Sequence, residues 1–360
     1  MPSISDRFSA FVLAIAAPAA ALAAGLLAAG LLAGCDGQKP TAIQNELAQG
    51  GAAPTELRKV QVQLNWVAEP EFGGFYAAQQ KALYPMNGLD VELIQGGPGV
   101  PAPQLVASGK VDFAIVSAPQ LIELNAQGGD LVALYAVYQG NPMGIMVHEA
   151  SPYQSLGELW RSSSTVSIEQ GLAEFRWLSK EFPGGNLKVV PYSANLAQFA
   201  GDPALAQQCF VISEPVTLEL KGTKTRVFMI GDSGFDPYNA VLVTRRDFYE
   251  ANKTVCASLV RATAAGWRAY LDDPKPHNET MARLNAGMSA EAMNLGAEKQ
   301  RRLVETDETK RIGLGGMRRE KWQLLIEQLV SLGDIKPDAA GKLPDPDTLF
   351  VWDIDAGTAR

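Results

Sequence analysis

From Val60 onward, short runs of alternating apolar and polar residues are followed by longer stretches with apolar residues three and four apart. Val60-Gln61-Val62-Gln63-Leu64 reads as a half-buried strand. Gly73-Gly74 opens a helix expected to run to about Leu83, and Asn87-Gly88 turns the chain into a strand over 89–94. A short helix over 103–108, a strand over 111–116, a helix over 119–127 and a strand over 131–137 follow. Buried apolar strands alternating with helices predict an α/β sheet covered by helices.

A second set repeats this order. Strands are expected over 165–168, 187–190, 209–212 and 226–230, with helices over 174–182, 195–200 and 215–220. Val116-Ser117-Ala118-Pro119 in the first set matches Ile212-Ser213-Glu214-Pro215 in the second. Each is a strand end, a polar turn and a proline able to start a helix. The pairing suggests two similar lobes facing each other. After a strand over 240–244 come long helices over 254–271, 289–304 and 319–332, expected to pack back on the first lobe. The chain would cross between lobes near Met146–His148 and return near Asp236–Ala240. Two crossings make a hinge, and a hinge makes a closable cleft. Lobe 1 is then residues 59–146 and 240–345, and lobe 2 is residues 147–239.

Ligands of open α/β sheets sit at the carboxyl ends of strands. The segments following the strands contain no Lys and no Arg. They hold Glu69, Glu71, Glu169, Glu214 and Asp236, with Trp66, Phe72, Tyr76, Tyr138, Tyr192 and Tyr238. An aromatic floor with carboxylates suits a flat ligand that is neutral, cationic or rich in N–H donors. It suits a sulfonate, nitrate or phosphate poorly, although backbone N–H groups at helix starts bind anions too. The candidate ligand-binding residues are Asn65, Trp66, Glu71, Phe72, Tyr76, Gly97, Ser117, Gln170, Asn195, Glu214, Tyr238 and Asn239. Several have a purely structural reading as well. Trp66 could plug a sheet edge, Glu69 and Glu71 could form a solvated turn, and Glu214 and Asn195 could only cap helices. Gly96-Gly97-Pro98-Gly99 lacks the spacing and lysine of a phosphate loop and reads as a turn lining the cleft.

Charge and the N-terminal residues narrow the function. The 360 residues carry 39 acidic and 31 basic side chains, a net charge of −8, which makes nucleic acid a poor partner. Two histidines and three cysteines argue against a structural zinc site and a disulfide scaffold, so no cofactor or metal is expected. Cys209 and Cys256 read as buried free thiols rather than a disulfide. Arg7 precedes a long apolar run, Phe8 to Leu32, that ends in Leu32-Ala33-Gly34-Cys35. This describes a secretory signal peptide over 1–34, with a membrane-spanning helix as the competing reading. The stretch from Cys35 to residue 58 reads as a flexible tether.

Leu-Ala-Gly-Cys resembles a bacterial lipobox, which implies lipid on Cys35 and, with Asp36 next to it, retention on the inner membrane facing the periplasm. Gln63-Leu64-Asn65-Trp66, Phe75-Tyr76-Ala77-Ala78, Gly88-Leu89-Asp90-Val91 and the run Leu105 to Phe113 carry a second resemblance. Over about residues 59–275 the chain resembles the solute-binding proteins of ABC importers related to the yeast thiamine-pyrimidine synthases. Binders of formyl-aminopyrimidine, riboflavin and aliphatic sulfonates belong to or lie near that group. The resemblance implies a two-lobed type II periplasmic binding protein fold. It also implies capture of a small heteroaromatic solute by a monomer that delivers it to a permease and its ATPase. Trp66 would stack on the ligand ring, with Phe72 and Tyr76 beside it. Asn195 and Glu214 would read its polar edge. The synthases carry a histidine in the turn after Asn-Trp and a cysteine-rich run after the second lobe. This chain has Phe72 and Phe235–Asn239 in those places, so an enzyme is not expected. A sulfonate or nitrate binder is the alternative ligand class, and presentation of solute to a sensor kinase the alternative role.

Overall fold

The computed structural model describes residues 56–338 and 340–351. The expected signal peptide, Cys35 and nearly all of the expected tether lie outside the described residues. Among the described residues the strands are β1 (Arg58–Gln63), β2 (Leu89–Ile94), β3 (Phe113–Val116), β4 (Leu131–Tyr138), β5 (Met143–His148), β6 (Thr165–Ser167), β7 (Lys188–Val190), β8 (Ala206–Phe210), β9 (Thr225–Met229) and β10 (Asn239–Arg245). They form two sheets of the same plan, β2-β1-β3-β10-β4 and β7-β6-β8-β5-β9. In each, the fourth strand is the one that has just arrived from the other lobe, and it runs antiparallel to both neighbours.

Side-chain alternation sorts the first sheet between two cores. Phe113 and Ile115 of β3, with Ala240 and Leu242 of β10, face the core built with the helices Gly73–Gln80 and Lys253–Asp272. Ala114, Val116, Val241 and Val243 face the core completed by the helix Arg319–Leu332. Helices on both faces leave every residue of β4 buried, which explains its unbroken apolar run. The described C-terminal end pairs with β4 through Ala133, which shields that edge.

The first crossing, expected near Met146–His148, is elsewhere, because those residues belong to β5, which is paired between β8 and β9. The crossing therefore lies earlier, at 139–142, where Asn141 and Pro142 turn the chain. The strand expected over 209–212 is β8, which starts at Ala206 and ends at Phe210. The first helix stops at Gln80, because Ala82 adopts a left-handed conformation (φ 54°) before a separate turn, Leu83–Met86. The helix Lys275–Leu284 was not anticipated.

The late helices also do more than cover lobe 1. The helix Ala290–Val304 packs on both the Pro70–Phe72 turn and the helix Glu214–Leu220 of the second lobe. The helix Arg319–Leu332 touches both Ala118–Ala126 and Ala173–Glu181. Beside it, Arg176 of the second lobe pairs with Glu123 of the first and with Asp334, 2.5 Å away.

Candidate functional site

The cleft between the sheets is built on the turn after β1. The helix Gly73–Gln80 lies so close to Lys253–Asp272 that a Cβ at Gly266 would stand 2.2 Å from the Gly74 carbonyl oxygen. This contact fixes the Pro70–Phe72 turn and points Phe72 and Tyr76 into the core. The second loop approaches equally closely. Gly96 N–H donates to the Trp66 carbonyl (2.9 Å), and a Cβ at Gly96 would lie 2.3 Å from the Leu64 oxygen. Gly97 and Gly99 thereby reach the cleft wall beside Asn65 and Trp66.

The cleft opens between the lobes with about 940 Å³ of free space, much of it open to solvent. Of the expected residues, Asn65, Trp66, Glu71, Gly97, Ser117, Glu214 and Asn239 line it. Phe72 does not, being fully buried in the core. Tyr76 is core too, and burial pushes its phenol up to about 12. Gln170 is exposed outside the wall. Asn195 is an exposed helix cap, its Oδ1 accepting from Gln198 N–H (3.1 Å). Tyr238 is turned away from the cleft, packed on Trp322 with centroids 5.7 Å apart, and its Oη accepts from Arg318 N–H.

Residues outside the expected set complete the wall. Glu69, Glu169 and Tyr192, named above among the cleft-facing acids and aromatics, line it too, as do Gln120 and Ser213 of the same segments. Glu174, Gln208, Cys209, Phe210, Leu172 and Met143 were missed altogether. The offset of β8 hid Gln208 and Phe210, and Glu174 is simply the first residue of an expected helix. Ser117 caps the helix Ala118–Ala126 through a reciprocal bond with Gln120. Ser213 takes the equivalent place before Glu214–Leu220, as the shared motif suggested.

Carboxylates dominate the electrostatics, and among the described residues no Lys, Arg or His lines the cavity. Glu214 accepts from Tyr192 Oη and from Phe210 N–H (2.8 Å), and burial raises its pKa against those bonds. Glu69 is raised to about 8 by burial and then by the charge of Glu214. Asn285 Nδ2 approaches it at 3.5 Å. Glu71 is raised well above the carboxylate range by burial, then by Glu69 and Glu214. Its Oε1 is buried without a partner, as is Asn65 Oδ1. A buried polar atom without a partner is costly in a folded protein, so these two atoms are the ones in the wall with hydrogen-bonding capacity to offer a ligand.

A polar knot joins the wall to the hinge. Asn141 N–H donates to Asp236 (2.6 Å), and Asn141 Nδ2 donates to Glu174 (3.0 Å). Asn239 Nδ2 donates to Asn141 Oδ1 (3.2 Å), and Lys321 Nζ pairs with Asp236 (3.3 Å). Both crossings are thus bonded to each other and to one wall carboxylate. Cys209 and Cys256 are free and buried.

Known proteins match this arrangement at two levels. Residues 69–276 match the family model described as NMT1/THI5 like. A Haemophilus influenzae protein named for thiamine biosynthesis is 32% identical over 119 residues, which is 32% of this chain and 38% of that protein's length. Solved structures share the fold at lower identity. The ligand-binding component of an ABC-type import system from Staphylococcus aureus, with zinc bound, aligns at TM-score 0.62 and 14% identity, covering 82% of this chain and 97% of that one. The alkanesulfonate-binding protein of Xanthomonas axonopodis bound to MOPS aligns at 0.62 and 12%, covering 83% and 100%. A Candida albicans protein with the generic periplasmic binding protein fold aligns at 0.58 and 15%, covering 82% and 97%. The architecture is the two-lobed periplasmic binding protein fold, and the chain belongs to the NMT1/THI5-like family.

Proposed function

We propose that this chain is the solute-binding protein of an ABC importer, held on the periplasmic face of a bacterial membrane by lipid on Cys35. Its lobes close on a small heteroaromatic solute, a thiamine pyrimidine precursor or a flavin. The protein acts as a monomer, hands the solute to a permease driven by an ATPase, and needs no cofactor. One observation carries this reading: among the described residues, the interlobe cavity combines Trp66, Tyr192 and Phe210 with five glutamates and no basic side chain. Aromatic faces bind a planar ring, and carboxylates accept from its exocyclic amine and ring N–H groups.

The alternatives fare worse on the same wall. A sulfonate or nitrate would meet Glu69, Glu71 and Glu214 with no cation to balance it. A synthase would want a histidine at the cleft. His148 instead stacks on Phe199, with centroids 4.5 Å apart, and His277 bonds Gln80 (2.7 Å).

Native mass spectrometry of the full-length protein, paired with its absorbance spectrum, is expected to show a retained small molecule absorbing in the ultraviolet or visible. For that solute, Trp66→Ala and Glu214→Gln are each expected to weaken binding at least tenfold, about 1.4 kcal/mol. Unchanged affinity in both variants rules out this site.

A further inference from the structure

The cleft wall gathers buried acids with no basic side chain beside them among the described residues. Glu71 is 3% exposed, and its Oε1 touches no donor. The groups around it supply none. Glu69 precedes it on the same turn, and Glu214 with Tyr192 stands across the cleft. Tyr138 behind it donates to Gln300 (2.6 Å), and Tyr270 donates to Asn278 (2.7 Å). From the helix packed over the turn, Gln300 Nε2 donates to the Pro70 carbonyl (2.9 Å), and Gln300 is also hydrogen-bonded to Tyr270. Glu174 is tied to Asn141, and Glu169 and Cys209 complete the ionisable groups of the wall. The cavity therefore presents an acceptor edge with no counter-charge of its own.

We propose that the cleft holds its ligand as a planar cation, an amidine-like or protonated amino-heterocyclic edge whose N–H groups donate to Glu71 and Glu69 and whose charge faces Glu214. This rests on the reading of the cleft as a capture site and adds the charge class of what is captured. Two adjacent N–H donors on a flat cation match two carboxylates better than one ammonium does, because each bond is charge-assisted and their spacing is fixed. In the empty cleft, crowding of the three acids in low dielectric is relieved by bound protons. The entering cation takes over that role, and a displaced proton leaves to solvent.

The test uses three arenes that differ mainly in charge, titrated calorimetrically into the full-length protein: benzamidinium, benzamide and benzenesulfonate. Benzamidinium is expected to bind at least tenfold more tightly than benzamide, with no binding of benzenesulfonate. Its affinity is expected to rise about tenfold per pH unit for each proton displaced, between about pH 6.5 and 7.5. The rise should flatten above about 8, where Glu69 has given up its proton. Glu71→Gln should cost benzamidinium tenfold or more and leave benzamide within about twofold. A Glu69→Gln variant repeats the comparison if the first folds poorly. Equal or tighter binding of benzamide or benzenesulfonate overturns the proposal, as does a flat pH profile or no benzamidinium binding. The capture reading is judged separately, by the retained solute and its dependence on Trp66.

Discussion

The ligand-free protein is expected to melt at a higher temperature at pH 6.5 than at pH 8.5. Glu69 has a folded pKa of about 8 against an ordinary 4.5, so the folded state binds its proton more tightly than the unfolded chain does. The stability that this confers is complete below about pH 4.5 and is lost as pH rises through about 8. Across the whole interval the loss is roughly 5 kcal/mol at about 1.4 kcal/mol per pH unit, and about 2 kcal/mol of it falls above pH 6.5. Glu71 and Glu214 shift in the same direction for the same first cause, burial. Glu123, raised to about 7, adds a smaller share. His277 is shifted down by burial, so its stability is lost only as pH falls through its ordinary 6.5, below the chosen window. At about 2 °C per kcal/mol for a chain of this size, Glu69 alone accounts for about 4 °C. Differential scanning calorimetry would check this, with Glu69→Gln flattening the profile. A melting temperature that holds or climbs toward pH 8.5 would show that these acids carry no buried protons.

Gly266→Ala is expected to destabilise the fold by about 2 kcal/mol or more, although alanine is the better helix former. Inside a helix the exchange would ordinarily gain about 1 kcal/mol. Here the new Cβ would sit 2.2 Å from the Gly74 oxygen and 2.8 Å from the Ala78 nitrogen. Both are backbone atoms that no rotamer change can move, so the helix Gly73–Gln80 must shift. Overpacking of this kind typically costs about 1–3 kcal/mol and occasionally more, which outweighs the propensity gain. The shifted helix begins beside Glu71, so binding should weaken with stability. Gly201→Ala is the control: it meets nothing within 4 Å and is expected to be neutral or mildly stabilising. If Gly266→Ala melts at or above the parent protein, the two helices do not pack as described.

Where sequence and structure agree or part depends on how local the signal is. The place of Asn65, Trp66 and Ser117 at the cleft wall was readable because each stands within three residues of the end of a strand whose alternation or apolar run is clear, and strand ends face the cleft. Gly97 came from a turn signature and Glu214 from the motif that the lobes share. Phe72 and Tyr76 were misassigned because aromatic character does not say which side of a turn is inward. That is decided by Gly74 and Gly266, nearly two hundred residues apart. Tyr238 failed for the same reason, its partner being Trp322 on a late helix. β5 was mistaken for a linker because Pro142 and Gly144 interrupt its apolar run, and its pairing partners lie far along the chain. Glu174 became legible only with its bond to Asn141 across the hinge.

The place of β10 between β3 and β4 also sets an order of assembly. All five strands of the second sheet lie between Met143 and Met229, so that lobe can pair its whole sheet from one continuous stretch of chain. The first sheet cannot. Until Asn239–Arg245 arrives, β3 and β4 have no strand between them, and each holds a row of unsatisfied backbone groups open to any passing strand. Closing that gap means joining segments separated by roughly a hundred residues, the slow kind of contact. The lobe that begins first along the chain is thus the last to be finished, and the turn carrying Asn65, Trp66 and Glu71 is set on a completed sheet only after the facing wall can already stand.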